Sequence, residues 1–184
     1  DRSMIGAYGH DDRVCAYTAL TAEFAVTEPD FTHITVLTDR EEIGSEGNTG
    51  LQADYLRHFV EDLADQAHVP ARTLFRHMDC LSADVNAAFD PLYPAPYELR
   101  NTALINGGVA VTKYTGARGK SGTSDAPAEF VGHVRAVLDG ESVLWQTGEL
   151  GRVDGGGGGT VAKFIANMDV DVVDVGVPVL SMHA

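Results

Sequence analysis

The sequence predicts an α/β fold, a three-layer sandwich in which helices cover both faces of a mixed central sheet. Apolar residues repeat at helical spacing in several stretches, and short β-branched runs lie between those stretches. Such alternation of helices and strands is typical of domains that pack helices against a sheet. The 184 residues are 44% hydrophobic, which is enough to enclose the core of a single domain.

Five helices are predicted from the apolar spacing. The first opens at Asp11 and places Val14, Tyr17, Leu20 and Phe24 at helical intervals. The others are expected over residues 51–68, over 71–78, from about 125 to Gly140 with Ser124 as its cap, and over 161–168.

The strands are predicted from short runs that are rich in β-branched residues. The run at residues 33–38 indicates a buried strand, and the run at 170–175 indicates a strand buried on both faces. Further strands are expected at 79–86, 103–105, 109–112 and 143–145.

The composition excludes several classes of protein. A formal net charge of -14 repels phosphate backbones, so nucleic acid is not an expected partner. The sequence contains no run of 18 apolar residues that would suggest a membrane span, and we expect a cytoplasmic protein. Cys15 and Cys80 form neither a metal-binding nor a disulfide pattern, and both are expected to be core thiols.

Five polar residues stand at the predicted ends of secondary structure: Asp11, Glu41, Glu42, Asp84 and His183. On an extended chain neighbouring side chains point to opposite faces, so one glutamate could bind a metal while the other faces a substrate. A solvated acidic turn is the alternative. Brought together at strand carboxyl ends, the five would form a hard oxygen and nitrogen donor set suited to zinc, manganese or cobalt.

Five segments, in order from about residue 6 to residue 184, resemble the aspartyl aminopeptidase family of dinuclear zinc exopeptidases. They are GHDDRVC at 9–15, DREEIGS at 39–45, LSADVN at 81–86, KYTG at 113–116 and VLSMHA at 179–184. The resemblance implies a fold of the zinc-dependent exopeptidase type and a metal-dependent aminopeptidase that removes N-terminal, acidic residues from peptides.

The resemblance also implies a role for each site residue. Asp11 would bridge two divalent ions, most simply zinc, with manganese or cobalt as alternatives. Glu42 and His183 would hold one ion and Asp84 the other, while Glu41 would be the general base that takes a proton from the attacking water. The peptide bond between Asp11 and Asp12 is expected to be cis.

Substrate recognition is predicted for a basic loop and a glycine loop. Lys113 is expected to meet the acidic side chain of the substrate, with Arg118 or Lys120 as alternatives. Gly157 and Gly158 are expected near the substrate backbone, because glycine allows close approach. A solvated loop and a structural turn are the respective alternatives.

Residues 1–184 are expected to be part of a catalytic metallopeptidase domain. The resemblance implies a further histidine ligand from an upstream His-x-Asp motif, and no such motif precedes Asp11. It also implies a separate lid and oligomerisation domain and a homo-oligomeric full-length protein, so this piece alone is expected to be inactive or weakly active. Two alternatives stay open: a non-catalytic member that binds at most one metal, and a glutamyl or tetrahedral-type aminopeptidase.

Overall fold

A computed structural model describes residues 3–117, 121–149, 151–152, 155 and 157–183. The helices in this part of the chain are α1 (His10–Ala25), α2 (Tyr55–Gln66), α3 (Ala71–Phe75), α4 (Ala128–Gly140) and α5 (Ala162–Ala166), with a 3₁₀ turn at Glu41–Ile43. The strands are β1 (Asp79–Ala83), β2 (Asn86–Ala87), β3 (Val109–Thr112), β4 (Tyr114–Ala117), β5 (Ser121–Asp125), β6 (Trp145–Thr147), β7 (Asp171–Gly176) and β8 (Pro178–Val179).

The main sheet has four strands in the order β1-β7-β3-β6. Strand β7 runs parallel to β1 and antiparallel to β3, and β6 runs parallel to β3, so the predicted mixed sheet is confirmed. Two smaller pairs flank it: β2 and β8 are parallel, and β4 and β5 form an antiparallel hairpin.

Strand β7 separates two apolar layers because its successive side chains point to opposite faces of the sheet. Val172 packs on one face with Val60 of α2, Phe75 of α3 and Ile165 of α5. Val173, which is fully buried, packs on the other face with Phe130 and Val134 of α4. Helices therefore cover both faces, and the three-layer prediction is confirmed.

The prediction of a buried strand at residues 33–38 is wrong. The segment pairs with no strand of the described chain, and the side chains of Ile34, Val36 and Leu37 are exposed. Three apolar residues of α1 are also exposed: Tyr17, Leu20 and Phe24. A β-branched run favours extended backbone, but it becomes a strand only where a neighbour supplies hydrogen-bonding partners.

Smaller corrections concern element ends. Ser124 does not cap α4; it lies within β5, and the helix follows Pro127 without a side-chain cap. Residues 103–105 form only an isolated bridge between Ala103 and Ala88, and the predicted strand at 79–86 is divided into β1 and β2. The helix expected at 51–68 begins at Tyr55, with Leu51 buried in the preceding turn.

None of the described helices combines the length and apolar character that crossing a membrane requires.

A close backbone contact at the end of β7 holds Asp84, which lies between β1 and β2, in place. A Cβ atom added to Gly176 would lie 1.7 Å from the carbonyl oxygen of Asp84. Only glycine therefore allows β7 to pass so near the loop that presents the Asp84 carboxylate.

We expect Gly176→Ala to lower the free energy of unfolding by about 3 kcal/mol, because the added carbon must displace the Asp84 backbone. Gly132→Ala on α4 is the matched control, since nothing lies within 4 Å of the added carbon there. The control should raise stability by up to about 1 kcal/mol, because alanine is the better helix former. Urea unfolding of both variants checks this, and equal effects would contradict it.

Candidate metal centre

The first carboxylate of the centre lies where α1 departs from helical geometry. Gly9 precedes the helix in the left-handed region, and both Asp11 and Asp12 have non-helical backbone angles. The peptide bond between Asp11 and Asp12 is cis, as the resemblance predicts. The side chain of Asp11 is only 13% exposed.

The two glutamates lie in a 3₁₀ turn and not at the end of a strand. Consecutive residues of a 3₁₀ helix are about 120° apart, so Glu41 and Glu42 still project in different directions. Left-handed residues bound the turn, Arg40 with φ 65° before it and Gly44 with φ 90° after it. The divergence expected of the pair is present, although the backbone that produces it differs from the prediction.

The loop after the glutamates is held by hydrogen bonds around Ser45, which is buried. The Ser45 amide donates to the Arg40 carbonyl at 2.8 Å, and the Gln52 amide donates to the Ser45 carbonyl at 3.1 Å. The Gln52 side chain donates to the Gly44 carbonyl at 2.6 Å. These bonds fix the turn that carries Glu41 and Glu42.

Asp84 and His183 reach the same place from the other side of the centre. Asp84 follows β1, and His183 follows β8 in a turn that begins near Ser181, whose φ is 51°. Nε2 of His183 lies 2.9 Å from Oδ2 of Asp11 and 3.1 Å from Oε1 of Glu42. Residues that are more than 170 positions apart in the sequence, such as Asp11 and His183, are thus in direct contact.

Two sets of potential ligand atoms share Asp11. One set comprises Asp11, Glu42 and His183, and the other comprises Asp11, Asp12 and Asp84. Within each set the ligand atoms all lie within 4.8 Å of one another. The structure therefore brings together every metal-ligand candidate that the sequence supplied, and it adds Asp12.

Burial and mutual repulsion raise the pKa of several acids in the centre. The pKa of Asp84 is raised to about 8, mainly by burial and then by the charges of Asp12, Glu41 and Asp11. Burial, followed by the charges of Glu42 and Asp11, raises the pKa of Glu41, while His183 and Lys163 partly offset this. Burial is also the main cause of the raised pKa of Asp12.

The donor set fits a pair of divalent cations. Carboxylate oxygens and an imidazole nitrogen suit zinc, and a cation would offset the repulsion that raises these pKa values. Oδ1 of Asp12 is buried without a hydrogen-bond partner in the described residues, as are Ser82 Oγ, Asn86 Oδ1 and Asp174 Oδ1. All four belong to elements that surround the centre.

The residues predicted to contact substrate lie outside both sets of potential ligand atoms. Lys113 forms an ion pair with Asp125, and both side chains are substantially exposed. Gly157 has φ 108°, which favours glycine, and Gly158 is half-buried. The alternatives Arg118 and Lys120 lie outside the described residues.

Sequence reasoning missed Asp12 and Lys163 as members of the centre. Asp12 had a signal, since it adjoins Asp11, but two acids at a helix start are also explained by the helix dipole. Lys163 lies far along the chain in α5 and had none. Five histidines outside the centre are exposed: His33, His58, His68, His77 and His133. Cys15 is buried and Cys80 half-buried, and neither forms a disulfide.

Comparison with known proteins assigns the family. A family model described as "Aminopeptidase I zinc metalloprotease (M18)" matches residues 1–184. The chain belongs to the M18 aminopeptidase family. This match favours the first interpretation over a glutamyl or tetrahedral-type aminopeptidase.

Two M18 relatives match the whole chain. A protein of Clostridium acetobutylicum named "Probable M18 family aminopeptidase 1" is 46% identical over 188 residues, covering 100% of this chain and 40% of the relative. The protein of that name from Thermotoga maritima is 47% identical over 189 residues, covering 100% of this chain and 42% of the relative. The chain thus spans about two fifths of the length of these relatives.

Solved M18 structures share the fold. The crystal structure of aminopeptidase I from C. acetobutylicum is 46% identical with a TM-score of 0.88, over 97% of this chain and 39% of that chain. The M18 aminopeptidase structure from T. maritima is 44% identical with a TM-score of 0.83, over 100% of this chain and 42% of that chain. The predicted fold class is confirmed by this agreement together with the mixed sheet.

The raised pKa of Asp84 predicts that the metal-free chain loses stability as pH rises. The folded-state pKa of about 8 exceeds the ordinary value of 3.8, so the folded state binds a proton more tightly. The stabilisation is full below pH 3.8 and is lost as pH rises through about 8. In EDTA, the Tm should fall between pH 6 and pH 8, and Asp84→Asn should flatten that fall.

Excess Zn²⁺ should raise the Tm more at pH 8 than at pH 6, because fewer protons then compete for the same carboxylates. Thermal unfolding with and without zinc at the two pH values measures this. A zinc-induced shift that is equal at both, or an Asp84→Asn profile identical to that of the unmodified chain, would contradict the assignment.

Proposed function

We propose that this chain is the metal-binding part of an aminopeptidase that removes N-terminal residues from peptides by means of two divalent ions. The observation that carries the proposal is the sharing of Asp11 between two sets of ligand atoms, with the Glu41 carboxylate beside them. Two ions that share one carboxylate are a recurring arrangement for hydrolysis of amide and phosphate bonds.

Each ion has its own ligands in this proposal. Asp11 would be shared by both ions, Glu42 and His183 would hold one ion, and Asp84 would hold the other, with Asp12 next to it. Zinc is the metal of the family description, and manganese or cobalt would suit the same donors. When bound, the ions acidify a water and stabilise the negative charge that develops on the carbonyl oxygen of the substrate.

Glu41 is the proposed general base. Its carboxylate is close enough to Glu42 and Asp11 for their charges to raise its pKa, but it belongs to neither set of ligand atoms. It therefore stays available for proton transfer. A pKa that burial raises suits a group that must first take a proton and then release it. Glu41 takes the proton of the attacking water and delivers it to the departing amine.

We propose that Lys113 gives the enzyme its preference for substrates with an acidic N-terminal residue. Its ammonium group pairs with Asp125 on the neighbouring strand of the β4–β5 hairpin, and an acidic substrate side chain would compete with Asp125 for it. Gly157 and Gly158 are proposed to lie along the substrate backbone.

One observation favours a second candidate, a chain that binds metal without catalysing hydrolysis. The side chains of His183 and Glu42 are 64% and 59% exposed, whereas catalytic centres exclude water during the reaction. Residues beyond the two fifths of the relatives that this chain spans could cover these two side chains.

We also propose a homo-oligomeric, cytoplasmic full-length protein, and sedimentation of that protein tests the assembly.

We expect Glu41→Gln to lower kcat for hydrolysis of aspartyl p-nitroanilide by about 10²–10⁴-fold, because the proton acceptor is lost. The content of bound zinc should stay unchanged, since Glu41 is not a proposed ligand. The exposed Glu129→Gln on α4 is the matched control and should retain full activity. Unchanged activity in Glu41→Gln would exclude Glu41 as the base. If the protein without the substitution binds two zinc ions but hydrolyses nothing, the second candidate, metal binding without catalysis, is supported.

Lys113→Met should lower kcat/KM for aspartyl p-nitroanilide about tenfold more than for leucyl p-nitroanilide, because only the acidic residue loses a charged partner. Comparing the two substrates in the same variant cancels any general loss of activity. An equal loss for both substrates would remove Lys113 from substrate selection.

A further inference from the structure

A small polar cavity of about 10 Å³ lies beside the metal centre, at the ends of β1, β3 and β7. Among the residues that line it are Asp84, Asn86, Thr112, Thr115, Thr160 and Asp174. Its volume is close to that of one water-sized sphere, and polar side chains surround it. Asp84, the proposed ligand of one metal ion, therefore shares this cavity with a second buried carboxylate.

Asp174 is that second carboxylate, and the sheet holds it rigidly. It lies on β7, an internal strand of the sheet, opposite Ser82 of β1 and Thr112 of β3. Only 8% of the residue is exposed, and Oδ1 of its carboxylate has no hydrogen-bond partner in the described residues. Burial raises the pKa of this carboxyl to about 6, and the side chains of Ser82 and Thr160 partly offset the rise. Because Oδ1 has no partner of its own and Asp174 lines the cavity, a water there would supply the donor that a buried carboxylate oxygen needs.

Thr112 can supply a hydrogen to that cavity. Nδ2 of Asn86 donates to Oγ1 of Thr112 at 3.0 Å, which leaves the hydroxyl hydrogen of Thr112 to be donated elsewhere. A water in the cavity could accept this hydrogen and donate its own two to the carboxylates of Asp84 and Asp174. Three such bonds are typical of a buried water.

We propose that one ordered water in this cavity joins Asp174 to Asp84, and that Asp174 is through it a positioning residue for the metal ligand. This inference rests on the proposed function, because it takes Asp84 as a ligand. Carboxylates that bind metals are commonly held by further hydrogen bonds, and losing such a bond typically weakens metal binding about 10–100-fold. Asp174 itself belongs to neither set of potential ligand atoms.

The test is a stepwise Co²⁺ titration, followed by visible absorption and chelator competition, of the 184-residue chain and its variants. Asp174→Ala should weaken one of the two stepwise dissociation constants about 10–100-fold and alter the absorption spectrum of that ion. The other constant, which Glu42 and His183 dominate, should stay within about threefold. Asp171→Ala is the matched control on the same strand, since its side chain is exposed and should affect neither constant.

Two further variants separate positioning from general destabilisation. Asp174→Asn keeps an acceptor oxygen and should restore part of the lost affinity. Thr112→Val keeps the shape of the side chain but removes the donor to the water, so it should weaken the same constant even if Asp174→Ala does not fold. A crystal structure of the zinc-bound chain should show the water within about 3.2 Å of both carboxylates.

The outcomes distinguish this inference from the proposed function. If the unmodified chain binds no Co²⁺, the two-metal proposal fails. If it binds two ions but Asp174→Ala and Thr112→Val behave as Asp171→Ala does, or weaken both constants equally, the positioning role is overturned while the metal centre stands. A cavity that the crystal structure shows without a water would overturn it as well.

Discussion

The carboxylates of Asp11, Asp12, Glu41 and Asp84 are held close together in partly buried positions, and the remaining features of the centre depend on that crowding. Burial and the neighbouring charges together raise the pKa of Asp84 to about 8. Such an arrangement of like charges costs free energy in the absence of a cation and attracts a cation when one is present. Burial, followed by the charges of Glu42 and Asp11, also raises the pKa of Glu41, so in the proposed function the metal ligands and the general base share one physical environment.

The backbone holds this crowding in place by close contacts. Gly176 lets β7 approach the Asp84 carbonyl, and the hydrogen bonds around Ser45 fix the turn that carries the glutamates. Asp11 is presented by an irregular start of α1 whose first turn does not follow helical angles. Each contributor is a short irregular segment that joins regular elements, which is where backbone and side-chain direction can be set independently of a sheet or helix.

Much of the fold and the membership of the acidic cluster could be predicted from the sequence because these features depend on local pattern. The period of apolar residues predicted α2 and α4, the apolar run predicted β7, and the motifs around Asp11 and His183 pointed to residues that the fold brings together. The run at 33–38 failed because a strand also needs a neighbour, which local pattern does not reveal. Asp174 and Lys163 escaped prediction for a similar reason. The cavity that Asp174 shares with Asp84 and the electrostatic influence of Lys163 on Glu41 depend on how β7 and α5 pack against segments distant in the sequence.

The central claim is that Asp11 is shared by two metal ions, and the number of ions bound per chain tests it most directly. Equilibrium dialysis with Zn²⁺ at pH 8, read by elemental analysis, should find two ions in the unmodified chain and a loss of both in Asp11→Asn. A separate Asp84→Asn sample should lose one ion only. One ion retained by Asp11→Asn, or fewer than two in the unmodified chain, would contradict the claim.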